Sequence, residues 1–211
     1  MKRLIKENLF YLVPYLGFAC IAAACLLMYS KREIHLEINA HHSGFADVFF
    51  YIMTYVGDGV TGLVIGIFIF WWKGLRTGIT TGLAMITAAA VTQTLKHTIF
   101  SGEPRPKVYF ESIHEQLRFV PWVENYLFDS FPSGHSTQAF ALCFCLAILL
   151  KNNWAKTGMF LLAVFIGFSR MYLSQHFLRD VFFGSLIGTV MTLLVFAIST
   201  RMNKGRLPFE K

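Results

Sequence analysis

SFPSGHSTQAFALCFCLAILL, Ser130 to Leu150, contains no Asp, Glu, Lys or Arg. A helix of that length crosses roughly 30 Å of hydrocarbon, so the fold class turns on whether the rest of the chain repeats the pattern. Three further stretches do: Leu9 to Ser30, Thr77 to Leu95 and Val181 to Thr200 are equally free of acidic and basic residues. Two shorter apolar runs are Gly59 to Trp72 and Thr157 to Ser169. The first reaches spanning length by borrowing from the apolar residues before Asp58, the second by extending from Asn153 to Tyr172. A chain of 211 residues that is 55% hydrophobic and 15% charged has a membrane composition, and its length suits one domain. The expected architecture is all-α: a single domain over 1–211, built as a six-transmembrane-helix bundle with an outer interfacial helix and a long outer loop.

Basic residues orient such a bundle, because short cytoplasmic loops carry excess Lys and Arg. Lys2, Arg3 and Lys6 precede the first span, Lys73 and Arg76 lie in the second connection, Lys151 and Lys156 in the fourth, and Arg201, Lys204, Arg206 and Lys211 in the tail. With six spans these fall on one side, which holds 11 of the 19 basic residues but only Glu7 and Glu210 among the acids. That side carries +9, leaving −2 for the other, so the overall +7 reflects anchoring at the inner leaflet and points to no nucleic-acid partner. Both termini are then cytoplasmic, and the opposite face is extracytoplasmic. The first span is too long for a signal-peptide core and reads as a retained helix. Cys20, Cys25, Cys143 and Cys145 lie inside expected spans, with neither disulfide nor zinc spacing.

Between the spans, Phe45, Val48, Phe49, Ile52, Met53 and Val56 recur at helical spacing and predict an amphipathic helix at the outer interface, broken or bent at Gly57-Asp58-Gly59. Trp71-Trp72 and Trp154 sit where interfacial anchors belong. The Gly, Ala and Thr content of Thr77 to Leu95 predicts a helix packed closely on its neighbours. Phe100 to Asp129 is the longest non-hydrophobic connection, and Pro104, Pro106 and Pro121 forbid one continuous helix through it.

A few ionisable residues fit neither the inner-loop rule nor a solvated face: Lys96, Arg105, Arg170, Asp180, His135 and His176 all fall at the outer ends of spans. Ionisable groups at such depth are candidates for a functional site. His176 and Asp180 are four apart, one helical turn, so the carboxylate can hold one ring nitrogen and leave the other as nucleophile or base. The alternative is a capping acid beside an interfacial histidine. Pro132-Ser133-Gly134 offers backbone N–H groups at a helix start, a site for an anion, or else a plain Ser-capped start. Lys96, Arg105 and Arg170 around that start would clamp a phosphate.

Pro132-Ser133-Gly134-His135, followed by Ser169-Arg170, five residues, His176, three residues and Asp180, resembles the second and third motifs of the type 2 phosphatidic acid phosphatase superfamily. The family's first motif is Lys, six residues, then Arg-Pro; here Lys96 is followed by eight residues and then Arg105-Pro106. The resemblance implies metal-independent and cofactor-free hydrolysis of a phosphomonoester or pyrophosphate through a phosphohistidine. His176 would attack phosphorus, Asp180 would orient it, and His135 would protonate the leaving oxygen and later activate water. Lys96, Arg105, Arg170, Ser133 and Gly134 would bind the phosphate. Lipid substrates implied by the family are undecaprenyl pyrophosphate, phosphatidic acid, phosphatidylglycerophosphate and a lipid A phosphate. Two rivals use the same residues: a lipid-to-lipid phosphotransferase, and a non-catalytic phosphate-binding transporter or sensor. His35, His41, His42, His97 and His114 read as interfacial or loop histidines, and Tyr172 as a belt residue.

Overall fold

Each of the six apolar stretches holds a helix in the structure, a computed structural model that describes residues 1–210, although the helix within Ser130 to Leu150 begins only at Gly134 and has 16 residues. The helices are α1 Lys2–Glu7, α2 Leu9–Met28, α3 Lys31–Ala40, α4 Gly44–Val56, α5 Gly59–Lys73, α6 Leu75–Thr94, α7 Pro106–Ser112, α8 Gly134–Leu149, α9 Asn153–Tyr172 and α10 Leu178–Met202. One π-helical turn, Leu95–Ile99, extends α6. Among the described residues there is no strand. Three helices are by themselves long and apolar enough to cross a membrane: Leu9–Met28, Leu75–Ile99 and Leu178–Met202. A fourth span is complete if α4 and α5 are taken together across a 53° bend. α8 is apolar but shorter, and α9 carries Lys156 near its start and Arg170 near its end. The chain is an integral membrane protein with an all-helical fold.

α8 is the buried axis of the bundle, with Ala139, Phe140, Phe144, Cys145 and Ala147 wholly inaccessible, and it packs against α5, α6, α9 and α10. The approach of α10 to α8 depends on two glycines a helical turn apart. A Cβ on Gly184 would sit 2.6 Å from the carbonyl oxygen of Ser133, and one on Gly188 would sit 2.3 Å from that of Thr137. Small residues let helix backbones approach in the absence of a hydrophobic drive between lipid-solvated helices. α6 follows the same rule: Thr80, Thr81, Ala84, Ala88 and Thr92 are buried, and the Thr92 and Thr137 hydroxyls share a 2.9 Å hydrogen bond. The Gly, Ala and Thr content of this stretch thus marks close packing.

α4 has its faces arranged for lipid. Phe45, Val48 and Ile52 from the predicted apolar stripe are exposed, while Asp47 and Thr54 are buried against the bundle. The break at Gly57-Asp58 follows from packing as well as propensity, because a Cβ on Gly57 would collide with Ile166 Cγ2 at 2.3 Å. Trp71, Trp72 and Trp154 are exposed, as interfacial anchors are. Lys156, expected in a connection, lies in the first turn of α9 and is buried, donating to the Glu7 carbonyl and to Asn8 Oδ1.

Candidate active site

The segment from Arg170 to Asp180 is built as one unit. As α9 ends, the carbonyl of Arg170 accepts from the backbone N–H of Gln175 at 2.9 Å and of His176 at 3.0 Å, which closes the turn between them. Ser174 takes a left-handed conformation within it, at φ 53°. His35 of α3, wedged between the rings of Phe110 and Phe177, lies with Nε2 3.1 Å from Ser174 Oγ and supports the turn from outside. Its burial depresses its pKa to about 4, so it is a neutral packing residue there.

His176 is delivered just ahead of α10, and Asp180 falls in that helix's first turn. Asp180 Oδ2 accepts from the backbone N–H of Phe177 at 3.0 Å and from Ser130 Oγ at 2.6 Å, and lies 3.5 Å from His176 Nδ1. Asp180 thus caps α10, as one sequence reading has it, and its carboxylate also faces the imidazole, which is buried rather than interfacial. The His176–Asp180 separation is long for a hydrogen bond, and Nδ1 has no such partner among the described residues. Nε2 is the ring nitrogen that does not face the carboxylate. Burial first, then the positive charges of Arg105, Arg170 and Lys96, hold the His176 pKa well below its ordinary value, which keeps the ring neutral and its lone pair available.

The eight residues between Lys96 and Arg105 do not separate them. The π turn Leu95–Ile99 carries Lys96, and Gly102 turns the chain at φ 77° with its N–H bonded to Asp129 Oδ1 at 2.9 Å. Lys96 Nζ and Arg105 Nη2 then donate to one acceptor, the carbonyl of Asp129, at 2.9 and 3.4 Å. The other Arg105 donors reach the carbonyls of Phe128 at 2.8 Å and Gln175 at 3.2 Å, and its guanidinium carbon lies 5.2 Å from the Tyr126 ring centre. Arg170 is buried; Nη1 donates to Thr54 Oγ1 of α4, and Nε has no partner among the described residues.

The start of α8 closes the site. Ser133 Oγ accepts from the Ser136 N–H at 3.3 Å and caps the helix, and Ser133 N–H donates to the Asp180 carbonyl at 3.0 Å. The Ser133 N–H is thus engaged within the protein, while its Oγ accepts from Ser136 and keeps its own proton to donate, and the N–H groups of Gly134 and His135 are further first-turn donors. His135 Nε2 lies 3.7 Å from Asp58 Oδ2. His135 also ends a groove of about 710 Å³ running between α5 and α6, with Gly62, Gly66, Gly78 and Gly82 on its walls and Phe70 and Leu75 at its far end.

All the sequence-derived candidates, Lys96, Arg105, Ser133, Gly134, His135, Arg170, His176 and Asp180, lie at this end of the bundle. Thr54, Asp58, Asp129, Ser130 and Gln175 were not among them. Asp58 reads in sequence as a helix break, and a backbone acceptor such as the Asp129 carbonyl or a hydroxyl donor such as Ser130 carries no charge pattern. A second polar cluster lies apart from the site: Asp47 accepts from Tyr172 at 2.6 Å and Arg118 at 3.0 Å and contacts His42 Nδ1 at 2.9 Å. It fastens the long connection to α4 and α9, and makes Tyr172 a buried structural residue. No group of three or more His, Cys, Asp or Glu among the described residues is arranged to hold a metal ion.

A family model described as the PAP2 superfamily matches residues 77–204. The lipid A 1-phosphatase of Rhizobium johnstonii is 29% identical over 99 residues, covering 46% of this chain and 39% of that protein. The putative undecaprenyl-diphosphatase YbjG of Escherichia coli is 40% identical over 79 residues, covering 33% and 39%. The chain thus spans about two fifths of the length of the curated relatives it matches. The crystal structure of Aquifex aeolicus LpxE superposes with a TM-score of 0.69 at 27% identity, covering 81% of this chain and 97% of that one. A PAP2-type phosphatidylglycerolphosphate phosphatase from Bacillus subtilis shares the fold at a TM-score of 0.67 and 23% identity, covering 98% and 100%.

Proposed function

The chain belongs to the PAP2 superfamily, and from that premise we propose that it is a lipid phosphate phosphatase working through a phosphohistidine. The observation that carries the proposal is a neutral, buried His176 facing Asp180 with Lys96, Arg105 and Arg170 as its charged neighbours. In the first step His176 Nε2 attacks phosphorus and forms a P–N bond as the bond to the leaving oxygen breaks, with His135 giving that oxygen a proton. In the second, water attacks phosphorus, His135 takes the water's proton, the P–N bond breaks and inorganic phosphate departs. Asp180 steadies the imidazolium that phosphorylation creates. The three cations and the Gly134 and His135 N–H groups neutralise charge on the equatorial oxygens.

A lipid substrate is supported by the groove, whose apolar walls run along α5 and α6 and end at His135. A hydrocarbon chain lying there would bring its phosphate to the cation cluster. Relatives named for lipid A and for undecaprenyl diphosphate support a lipid phosphate or pyrophosphate. The same reading takes the chain as one domain of six spans, with α2, α5, α6, α8, α9 and α10 crossing. The basic ends lie in the cytoplasm and the site on the periplasmic or extracytoplasmic face of a bacterial inner membrane.

The test is phosphate release from a panel of undecaprenyl pyrophosphate, phosphatidic acid, phosphatidylglycerophosphate and lipid A by the detergent-purified protein, with and without EDTA. Release that is insensitive to EDTA and abolished in His176→Ala is expected. Equal release by wild type and His176→Ala would overturn the proposal.

A further inference from the structure

The charges that face His135 come from each element packed against it: Lys96 at the end of α6, Arg105 in the long connection, Arg170 at the end of α9, His176 ahead of α10, and Asp58 in the break between α4 and α5. The cations that grip a phosphate also oppose a protonated His135, which the acid step needs. Asp58 supplies negative charge against them, with Oδ2 at 3.7 Å from His135 Nε2. Its position is fixed twice. Oδ1 accepts from the Val60 N–H at 2.8 Å and caps α5. The neighbouring Gly57 is pressed into the bundle, its added Cβ falling 2.3 Å from Ile166 Cγ2 and 3.5 Å from the His135 carbonyl oxygen. A bulkier residue at 57 would lift the break, and Asp58 with it, away from α8.

We propose that Asp58 is a positioning residue for the acid step, its carboxylate facing His135 Nε2 across 3.7 Å as a charge partner, so that the proton on Nδ1 is the one delivered to the leaving oxygen. The inference rests on the hydrolase reading above. The partner of one imidazole nitrogen decides which proton the other carries, and a carboxylate there favours the imidazolium. As the P–O bond breaks, the Nδ1 proton passes to the leaving oxygen and the Nε2 proton stays facing Asp58. In the second step Nδ1 recovers a proton from the attacking water. The helix break is thereby part of the machinery: the residue that starts α5 also aims the acid of α8.

Asp58→Asn is the informative variant, because Asn caps a helix as well as Asp does while removing the charge. It is assayed beside wild type and His176→Ala on phosphatidic acid, whose leaving alkoxide needs a proton, and on p-nitrophenyl phosphate, whose leaving group does not. The alkaline limb of kcat on phosphatidic acid is expected to move down by about one pH unit, the low end for a half-exposed charge pair. At pH values above that limb the shift is about a tenfold loss on the lipid, with little change on the aryl ester. An unmoved alkaline limb, or an equal loss on both substrates at every pH, would overturn the inference and leave the hydrolase standing. Wild-type release no greater than that of His176→Ala would sink both.

Discussion

Gly188 of α10 lies so close to Thr137 of α8 that a Cβ would approach the threonine carbonyl oxygen to 2.3 Å. The contact is backbone to backbone, so no side-chain rotation can relieve it. It also sets the distance between the helix that presents Asp180 and the helix start that presents His135. Gly188→Ala is expected to destabilise the protein by about 1–3 kcal/mol through overpacking. The check is a thermal unfolding curve in detergent. Gly17→Ala, inside α2 where an added Cβ meets nothing within 4 Å, should leave that curve unmoved or raise it slightly, because Ala is the better helix former.

Lys96 and Arg105 converge on the Asp129 carbonyl despite their longer separation in sequence. If that convergence serves the phosphate, Lys96→Ala lowers kcat/KM by about 10²–10³, the usual cost of losing one preorganised donor to a developing charge. A loss below about threefold in a phosphate-release assay would assign Lys96 to holding the connection and nothing more.

The pH profile should be asymmetric. The His176 pKa is lowered, so its neutral, nucleophilic form survives as pH falls. The acid limb of kcat/KM therefore lies well below the ordinary imidazole value of about 6.5. An acid limb centred near 6.5 would contradict a buried, cation-flanked nucleophile.

Stability has its own pH dependence through His35. Its folded pKa of about 4 lies below the unfolded value, so between the two the unfolded chain binds the extra proton. Stability is present above about pH 6.5 and is lost as pH falls toward 4. His35→Gln should flatten that part of a melting-temperature profile, leaving a residual slope from His176. An unchanged profile would show that His35 is not the group responsible.

What was legible in the sequence was whatever left a trace in charge or periodicity. Uncharged runs marked the helices because lipid tolerates no unpaired ion, and misplaced charges such as Arg170 and Asp180 stood out for the same reason. The Lys96 to Arg105 interval was illegible: residue counting assumes regular backbone, and a π turn with a left-handed glycine brings the two side chains to one acceptor. The Asp47 cluster escaped because its members, His42, Arg118 and Tyr172, come from three separate elements. Asp58 was hidden by its other role, since an acid between two glycines is a sufficient account of a helix break. Ser130 and Asp129 act through a hydroxyl and a carbonyl, groups that every chain has in abundance.

The carbonyls of Phe128, Asp129 and Gln175 accept from Lys96 and Arg105. On the hydrolase reading proposed above, an arriving phosphate would exchange those neutral acceptors for its own charged oxygens, and the affinity it gained would be only the difference between the two sets. Weakly basic monoanions such as chloride would gain little by that exchange and a phosphate dianion most, so the contacts that hold the long connection would also set a threshold for what the site accepts.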